Sequence, residues 1–284
     1  MRKVCVKETS SEMFVADRGM SEVTEYCDKS LFRKRKECAD PTWVGADFKT
    51  WEDVQQKTHE AWEFGMMAMK DAVDRLRNET LPELKSHTRK FIWTYDDGDE
   101  IDLDRMRDGL PFWKKYVREA THGPTEVTII TDTTTPFTKD SDDIIWRGAV
   151  AVALACILEE KGYRVELWVV NGSHLYGDSP NTPVCTAACL KRTSDPLDSS
   201  TLINTVSGWF YRSATFNLLN TICDKERHTV NYGYGSCYTP RPADLDELSR
   251  DALRIYSSGV FTYNGAFNMI LEEVKKIAAA QEGT

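Results

Sequence analysis

Residues 127–131 read Val-Thr-Ile-Ile-Thr, five β-branched side chains in a row with no charge among them. β-Branched residues fit a pleated surface, and a run without polar alternation fits a strand covered on both faces. The run ends in Asp132-Thr133-Thr134-Thr135-Pro136, followed by a polar loop to Asp143. Residues 144–160 then predict a helix whose middle, Gly148 to Cys156, is apolar nearly all round. A helix without a polar face must be buried, here pressed close to a sheet. Gly162 stands where a helix stop is expected, and Arg164 to Val170, RVELWVV, reads as a second strand. Strand, loop, helix, glycine and strand within about 45 residues fit a βαβ crossover with both strands parallel.

The remaining pattern extends this unit. A further strand is predicted from Val184 to Lys191, a short helix capped in Leu197–Thr201, a longer helix over Trp209–Ile222 and a last helix over Gly265–Ala280. The alternation predicts an α/β fold: an open, mostly parallel sheet flanked by helices, Rossmann-like in topology. Upstream, residues 1–42 look polar and irregular. Thr50 and Asp53 are spaced as a capping box, and Trp51, Val54, Thr58, Ala61 and Trp62 follow at helical spacing. A second helix runs from Met66 to Lys90, with Pro82 bending or restarting it. Phe91–Tyr95 reads as a strand, Asp96-Asp97-Gly98 as a turn and Ile101-Asp102-Leu103 as an edge strand. At ~150 residues per domain the length allows about two domains, or one with additions. The expected division is a helical region, residues 1–90, packing on an α/β domain with C-terminal helices, residues 91–284.

The 41% apolar content, with 8 Trp, 11 Tyr and 11 Phe, excludes disorder of the whole chain. The net charge of -9 excludes a general basic coat for nucleic acid. One block, Arg33, Lys34, Arg35 and Lys36, is locally basic, either as a solvated face or as an anion or nucleic-acid contact. No run of ~18 apolar residues is present, so no membrane span is expected. Met1-Arg2-Lys3 is followed by Glu8, Glu12, Asp17 and Glu22 rather than an apolar stretch, which predicts no secretory signal and a cytoplasmic location. None of the eight cysteines forms a Cys-x-x-Cys pair. Cys185 and Cys189 are spaced for half a zinc site, with His228 and Cys237 as the nearest complements; reduced, buried thiols are the other reading.

In an open α/β sheet, ligands bind outside the carboxyl ends of the strands. Asp132 sits at such an end, with the hydroxyls of Thr133, Thr134 and Thr135 beside it and Asp140, Asp142 and Asp143 in the same loop. An aspartate among hydroxyl oxygens suits a hard cation, Mg²⁺ or Mn²⁺. The alternative is that Asp132 and the threonines only cap the sheet and its turns. His174, just beyond the second strand, would approach Asp132 at the same edge and could complete a hydrolytic group with Ser173. A second acidic cluster, Asp96, Asp97, Asp99, Glu100, Asp102 and Asp104, lacks the twelfth-position glutamate of an EF-hand loop and reads as a solvated turn.

Asp132-Thr133-Thr134-Thr135-Pro136 resembles a degenerate form of the von Willebrand factor A metal motif, Asp-x-Ser-x-Ser, which in that fold follows the first central strand and precedes a helix. Asp132 matches the aspartate and Thr134 the first serine, while Pro136 replaces the second serine and offers no side-chain ligand. Asp195 is a positional candidate for a ligand from a later loop. Trp43-Val44-Gly45, the Trp51–Gly65 helix, the strand ending at Asp132, Arg147-Gly148-Ala149-Val150-Ala151, Gly162-Tyr163-Arg164-Val165-Glu166-Leu167-Trp168 and Pro196-Leu197-Asp198 with Arg212 downstream are together similar to an uncharacterised group of phage- and prokaryote-encoded proteins with an A-domain-like core. The resemblance covers residues 40–220. It implies fold and origin, host cytoplasm or virion as location, and no activity.

The chain has no Gly-x-x-x-x-Gly-Lys-Ser/Thr loop, no Gly-x-Gly-x-x-Gly after a strand, no Gly-x-Ser-x-Gly elbow and no His-Glu-x-x-His. Three functions are therefore expected in this order. The first is a non-catalytic interaction or assembly protein, whose partner is another protein or a second copy of the chain. The second is a Mg²⁺- or Mn²⁺-dependent phosphodiester hydrolase or nuclease using Asp132. The third is a nucleic-acid-binding accessory using Arg33–Lys36, which the overall charge disfavours.

Overall fold

A computed structural model describes residues 1–32, 40–79, 90–98, 100–117, 126–136, 138–175, 182–226, 236–255 and 262–282. The chain opens with a hairpin, β1 (Arg2–Val6) and β2 (Ser11–Ala16), and continues through α1 (Met20–Tyr26), α2 (Pro41–Val44), α3 (Trp51–Thr58) and α4 (Glu63–Glu79). A small antiparallel unit follows: β3 (Lys90–Thr94), β4 (Glu100–Ile101), α5 (Leu103–Arg107) and β5 (Trp113–Val117). Next come β6 (Glu126–Asp132), α6 (Ser141–Glu160), β7 (Arg164–Leu175), β8 (Thr182–Lys191) and α7 (Ser199–Thr205). The chain ends with α8 (Gly208–Phe210), a π-helical turn over Tyr211–Thr215, α9 (Phe216–Glu226), β9 (Ser236–Cys237), α10 (Pro242–Asp246), β10 (Leu253–Ile255) and α11 (Tyr263–Glu282).

The central sheet has the order β1-β2-β8-β7-β6-β10, with β9 beside β7. Along that path β2–β8, β7–β6 and β6–β10 are parallel, and β1–β2 and β8–β7 antiparallel. The protein is thus a mixed α/β structure with a mostly parallel central sheet flanked by helices. The βαβ unit forms as its residues dictate: β6 and β7 run parallel in the register Ile129↔Leu167 and Asp132↔Val170. β6 lies between β7 and β10, so both its edges are hydrogen-bonded. Gly162 ends the α6 turn at φ +88°, in the left-handed region that a side chain disfavours.

Strand side chains alternate between two cores, as a two-residue period requires. Val127, Ile129, Val165 and Leu167 face α6, and behind them α4 and α11 supply Ala72, Leu76, Phe267 and Ile270. Ile130, Trp168 and Val170 face the opposite way, onto Met13, Val15, Tyr238 and Leu245. Most of the described helices crowd one face. α6 is buried from Arg147 to Ala155, and a Cβ on Gly148 would come within 2.3 Å of a Val206 methyl, so this helix packs closer than any larger residue allows.

The first ninety residues depart from their expected form. Residues 1–42 are not irregular throughout: β1 and β2 complete the sheet, β2 pairing parallel with β8 in the register Phe14↔Thr186. The 1–90 region is therefore not a purely helical layer, because its first sixteen residues belong to the core it was expected to cover. The polar spacing of residues 2–12 hides this, since β1 is an exposed edge strand with only Val6 buried. The Thr50–Asp53 capping box is present. α4 begins three residues before Met66, and Pro82 lies outside the described residues.

Candidate functional site

The loop after β6 is built by hydrogen bonds that all turn inward. Asp132 Oδ1 accepts from the Thr134 backbone N–H at 2.8 Å, an Asx-type turn. Thr133 donates its N–H to the Val170 carbonyl and its hydroxyl to Asn171 Oδ1. Thr134 Oγ1 accepts from the Gly172 N–H at 2.8 Å. Thr135 Oγ1 donates to the Thr133 carbonyl at 3.0 Å, and the Thr135 N–H donates to the Tyr211 hydroxyl. Asp132 and the three threonines are buried. The sheet edge that the sequence marks as a ligand rim is therefore roofed.

Arg147 of α6 completes the arrangement. Its Nη2 donates to the Thr134 carbonyl at 2.7 Å and to Thr135 Oγ1 at 2.8 Å, and its Nη1 lies 3.5 Å from Asp132 Oδ2. Both side chains are fully buried. Burial pushes the Asp132 carboxyl above the ordinary aspartate value, opposed by the Arg147 guanidinium and the bonds from Thr134. Burial likewise pushes the Tyr211 phenol up, which keeps it protonated at neutral pH.

The residues present do not fit a divalent cation. Asp132 Oδ1 is held by the Thr134 N–H, and Oδ2, buried without a hydrogen-bond partner, faces the Arg147 guanidinium, whose positive charge opposes a second cation there; the Thr134 and Thr135 hydroxyl oxygens accept bonds within the site. Among the described residues no group of three or more His, Cys, Asp or Glu side chains gathers to hold a metal. A cation of the chain's own occupies the neighbourhood where the resemblance implies an ion.

The other expected site residues are not gathered around Asp132. Asp140 is the exposed N-cap residue of α6 without a side-chain cap bond, and Asp142 lies in that helix's first turn. Asp195 instead accepts from the Arg192 N–H, beyond the end of β8. His174 lies four residues past Val170, the partner of Asp132, which is about 13 Å along a strand. Its ring packs edge-on against Tyr238, 5.0 Å between centroids. Neighbouring residues of a strand point to opposite faces, so Ser173 and His174 do not share one. The expected hydrolytic group of Asp132, Ser173 and His174 therefore does not assemble. Arg33, Lys34, Arg35 and Lys36 lie outside the described residues. Cys185 and Cys189 are buried, free thiols on β8.

Sequence reasoning passed over Arg147 as a functional contact, although it is the one charge between Asp143 and Glu159 in an apolar helix. A lone charge in such a helix needs a buried partner. Arg212 repeats the pattern within the π-helical turn. It donates to the carbonyls of Trp43 and Lys139, with its guanidinium 4.4 Å from the Trp43 ring centroid. Asp244, also missed, accepts from Thr9 and Ser11 of the first hairpin, from the Tyr238 hydroxyl at 2.7 Å and from the Arg241 N–H.

The surface that does stand open is the small antiparallel unit, ordered β3-β5-β4. Ile92, Tyr95, Ile101, Leu103, Met106 and Leu110 are six of the eight exposed large hydrophobic side chains among the described residues, with Leu103 at 69% and Met106 at 50% exposure. Scattered exposed apolar residues need no explanation; here six of them fall within twenty residues of sequence. The surrounding acids do not converge as calcium ligands: Asp102 caps α5, Asp97 pairs with Lys115 and Glu100 with Lys114.

Fold and site together define a mixed α/β protein with a sealed strand-end loop and an exposed apolar face. A family model described as "Domain of unknown function (DUF7192)" matches residues 4–276, and the chain belongs to that family. The match runs past residues 40–220 at both ends, taking in the end of β1, all of β2 and most of α11. No curated protein and no solved structure matches the chain. Among the described residues no helix is long and apolar enough to cross a membrane.

Proposed function

We propose that this chain is a non-catalytic protein-interaction or assembly protein with a von Willebrand factor A-like core, phage- or prokaryote-encoded and cytoplasmic. Its contact surface is the open face of residues 90–117. The observation that carries this reading is a contrast between two places. The strand-end loop turns most of its polar groups inward and out of solvent, whereas exposed apolar side chains collect on one small unit. A central strand that ends in Asp132 and leads to a helix supports the A-like core.

The test compares the purified chain with a Leu103→Ser/Met106→Ser variant, both exposed positions, in affinity purification from source cells. A stoichiometric protein retained by the first and lost by the second is the expected result. Equal retention, or none, overturns the assignment of this face. The hydrolase reading is tested beside it with a phosphodiester panel in Mg²⁺ or Mn²⁺. No turnover is expected, and turnover abolished by Asp132→Ala would replace the interaction reading. Steeply salt-dependent nucleic-acid binding, lost on neutralising Arg33–Lys36, would favour the accessory reading.

A further inference from the structure

We infer that the face formed by residues 92–110 docks a partner-protein segment built of basic and apolar residues; the inference rests on the interaction reading above. Leu103 and Met106 are three residues apart, which places them on one side of α5, and Leu110 follows the turn that Gly109 makes at φ +70° where the helix ends. Leucine and methionine at exposed helical positions make an adaptable contact for an apolar stripe.

Charge selects the partner's character. Between Tyr95 and Leu110 the described residues hold Asp96, Asp97, Glu100, Asp102, Asp104 and Asp108, against Arg105 and Arg107. Arg107 is engaged with Asp104 at 3.2 Å, and Arg105 lies over the Trp93 ring, 4.2 Å from its centroid. Lys114 and Lys115 of β5 answer Glu100 and Asp97. The described residues 90–117 hold these six carboxylates against five basic residues, Lys90 included, and no cation of the described residues pairs with Asp96 or Asp102, so two carboxylates beside the apolar side chains are left without a cation. A second copy would bring the same two carboxylates, on a chain whose net charge is already -9. A basic amphipathic segment instead neutralises the rim while covering the stripe, which raises both encounter rate and specificity.

The test uses the full chain and two synthetic amphipathic helices, one of leucine and lysine, the other of leucine and glutamate, followed by fluorescence anisotropy. The lysine probe is expected to bind at least about tenfold tighter than the glutamate probe. Leu103→Ser/Met106→Ser should weaken it by about tenfold or more while far-ultraviolet circular dichroism stays unchanged. Asp96→Asn/Asp102→Asn, which keeps a capping side chain on α5, should weaken it and flatten its salt dependence. Equal binding of both probes, or binding that none of the substitutions moves, overturns the basic-partner inference. A dimer in sedimentation that Leu103→Ser/Met106→Ser dissolves would overturn the partner's chemistry but keep the interaction reading. Indifference of both probe binding and self-association to these substitutions would remove that reading too.

Discussion

Arg147 Nη1 lies 3.5 Å from Asp132 Oδ2, and neither side chain reaches solvent. One comes from the end of the central strand, the other from the helix that follows it, so this contact fastens the strand-end loop to α6.

Removing one member leaves a buried charge unanswered. Arg147→Met is expected to cost about 3–5 kcal/mol in urea unfolding, the usual result of breaking a buried pair. Asp132→Asn/Arg147→Met should recover part of that loss, because no unpaired charge remains. Additive losses would mean that the two groups do not act together. Millimolar Mg²⁺ or Mn²⁺ should leave the melting temperature unchanged; a saturable rise would place a cation at the loop.

Asp244 gathers donors from three places: the first hairpin, Tyr238 and the start of α10. Asp244→Ala should destabilise by roughly 2–4 kcal/mol, since it leaves buried donors unmet. Hydrogen exchange should rise first in residues 2–16, the hairpin that this carboxylate holds. Uniform acceleration across the sheet would contradict the assignment.

The thiols divide by environment. Burial pushes Cys27 and Cys189 up to about 12, and Cys185 is likewise raised by burial. At pH 8 these three are therefore almost wholly thiols, the unreactive form. Iodoacetamide is expected to modify the exposed Cys5 well before them. Mass spectrometry of the native chain, with labelling of Cys185 as early as Cys5, would refute this.

Asp198 caps α7, and bonds from the Thr201 hydroxyl and N–H hold its carboxyl below the ordinary 3.8. A depressed carboxylate contributes stability that is present above pH 3.8 and lost as pH falls through the lower folded-state value. Asp198→Ala should cost about 1 kcal/mol at pH 7. The difference from the unsubstituted chain should shrink in acid. A gap that stays constant to pH 2 would exclude the cap as its source.

The parts of the fold written in local pattern were legible. Val127–Thr131 and Arg164–Val170 announce parallel strands because their apolar positions continue on both faces, only Arg164 being exposed and Thr128 and Glu166 half-buried, and the apolar middle of residues 144–160 announces a buried helix for the same reason. The hairpin of residues 2–16 was not, because an edge strand shows one side to water and carries charges that mimic a loop. β10, three residues long, is too short to carry a period.

The residues themselves determined that a hydrophobic strand would deliver Asp132 to a sheet end, with a mostly apolar helix returning to a parallel neighbour. Whether that aspartate would face solvent, a metal ion or the chain's own cation depended on which way the α6 helix turned its single arginine, and on how near α6 packed. That is a property of helix rotation and close packing over many distant contacts, and no local spacing encodes it. The same holds for the apolar side chains of residues 90–117: the strand and edge-strand pattern of Phe91–Tyr95 and Ile101–Leu103 does not say whether they are covered, and only the tertiary structure leaves them exposed.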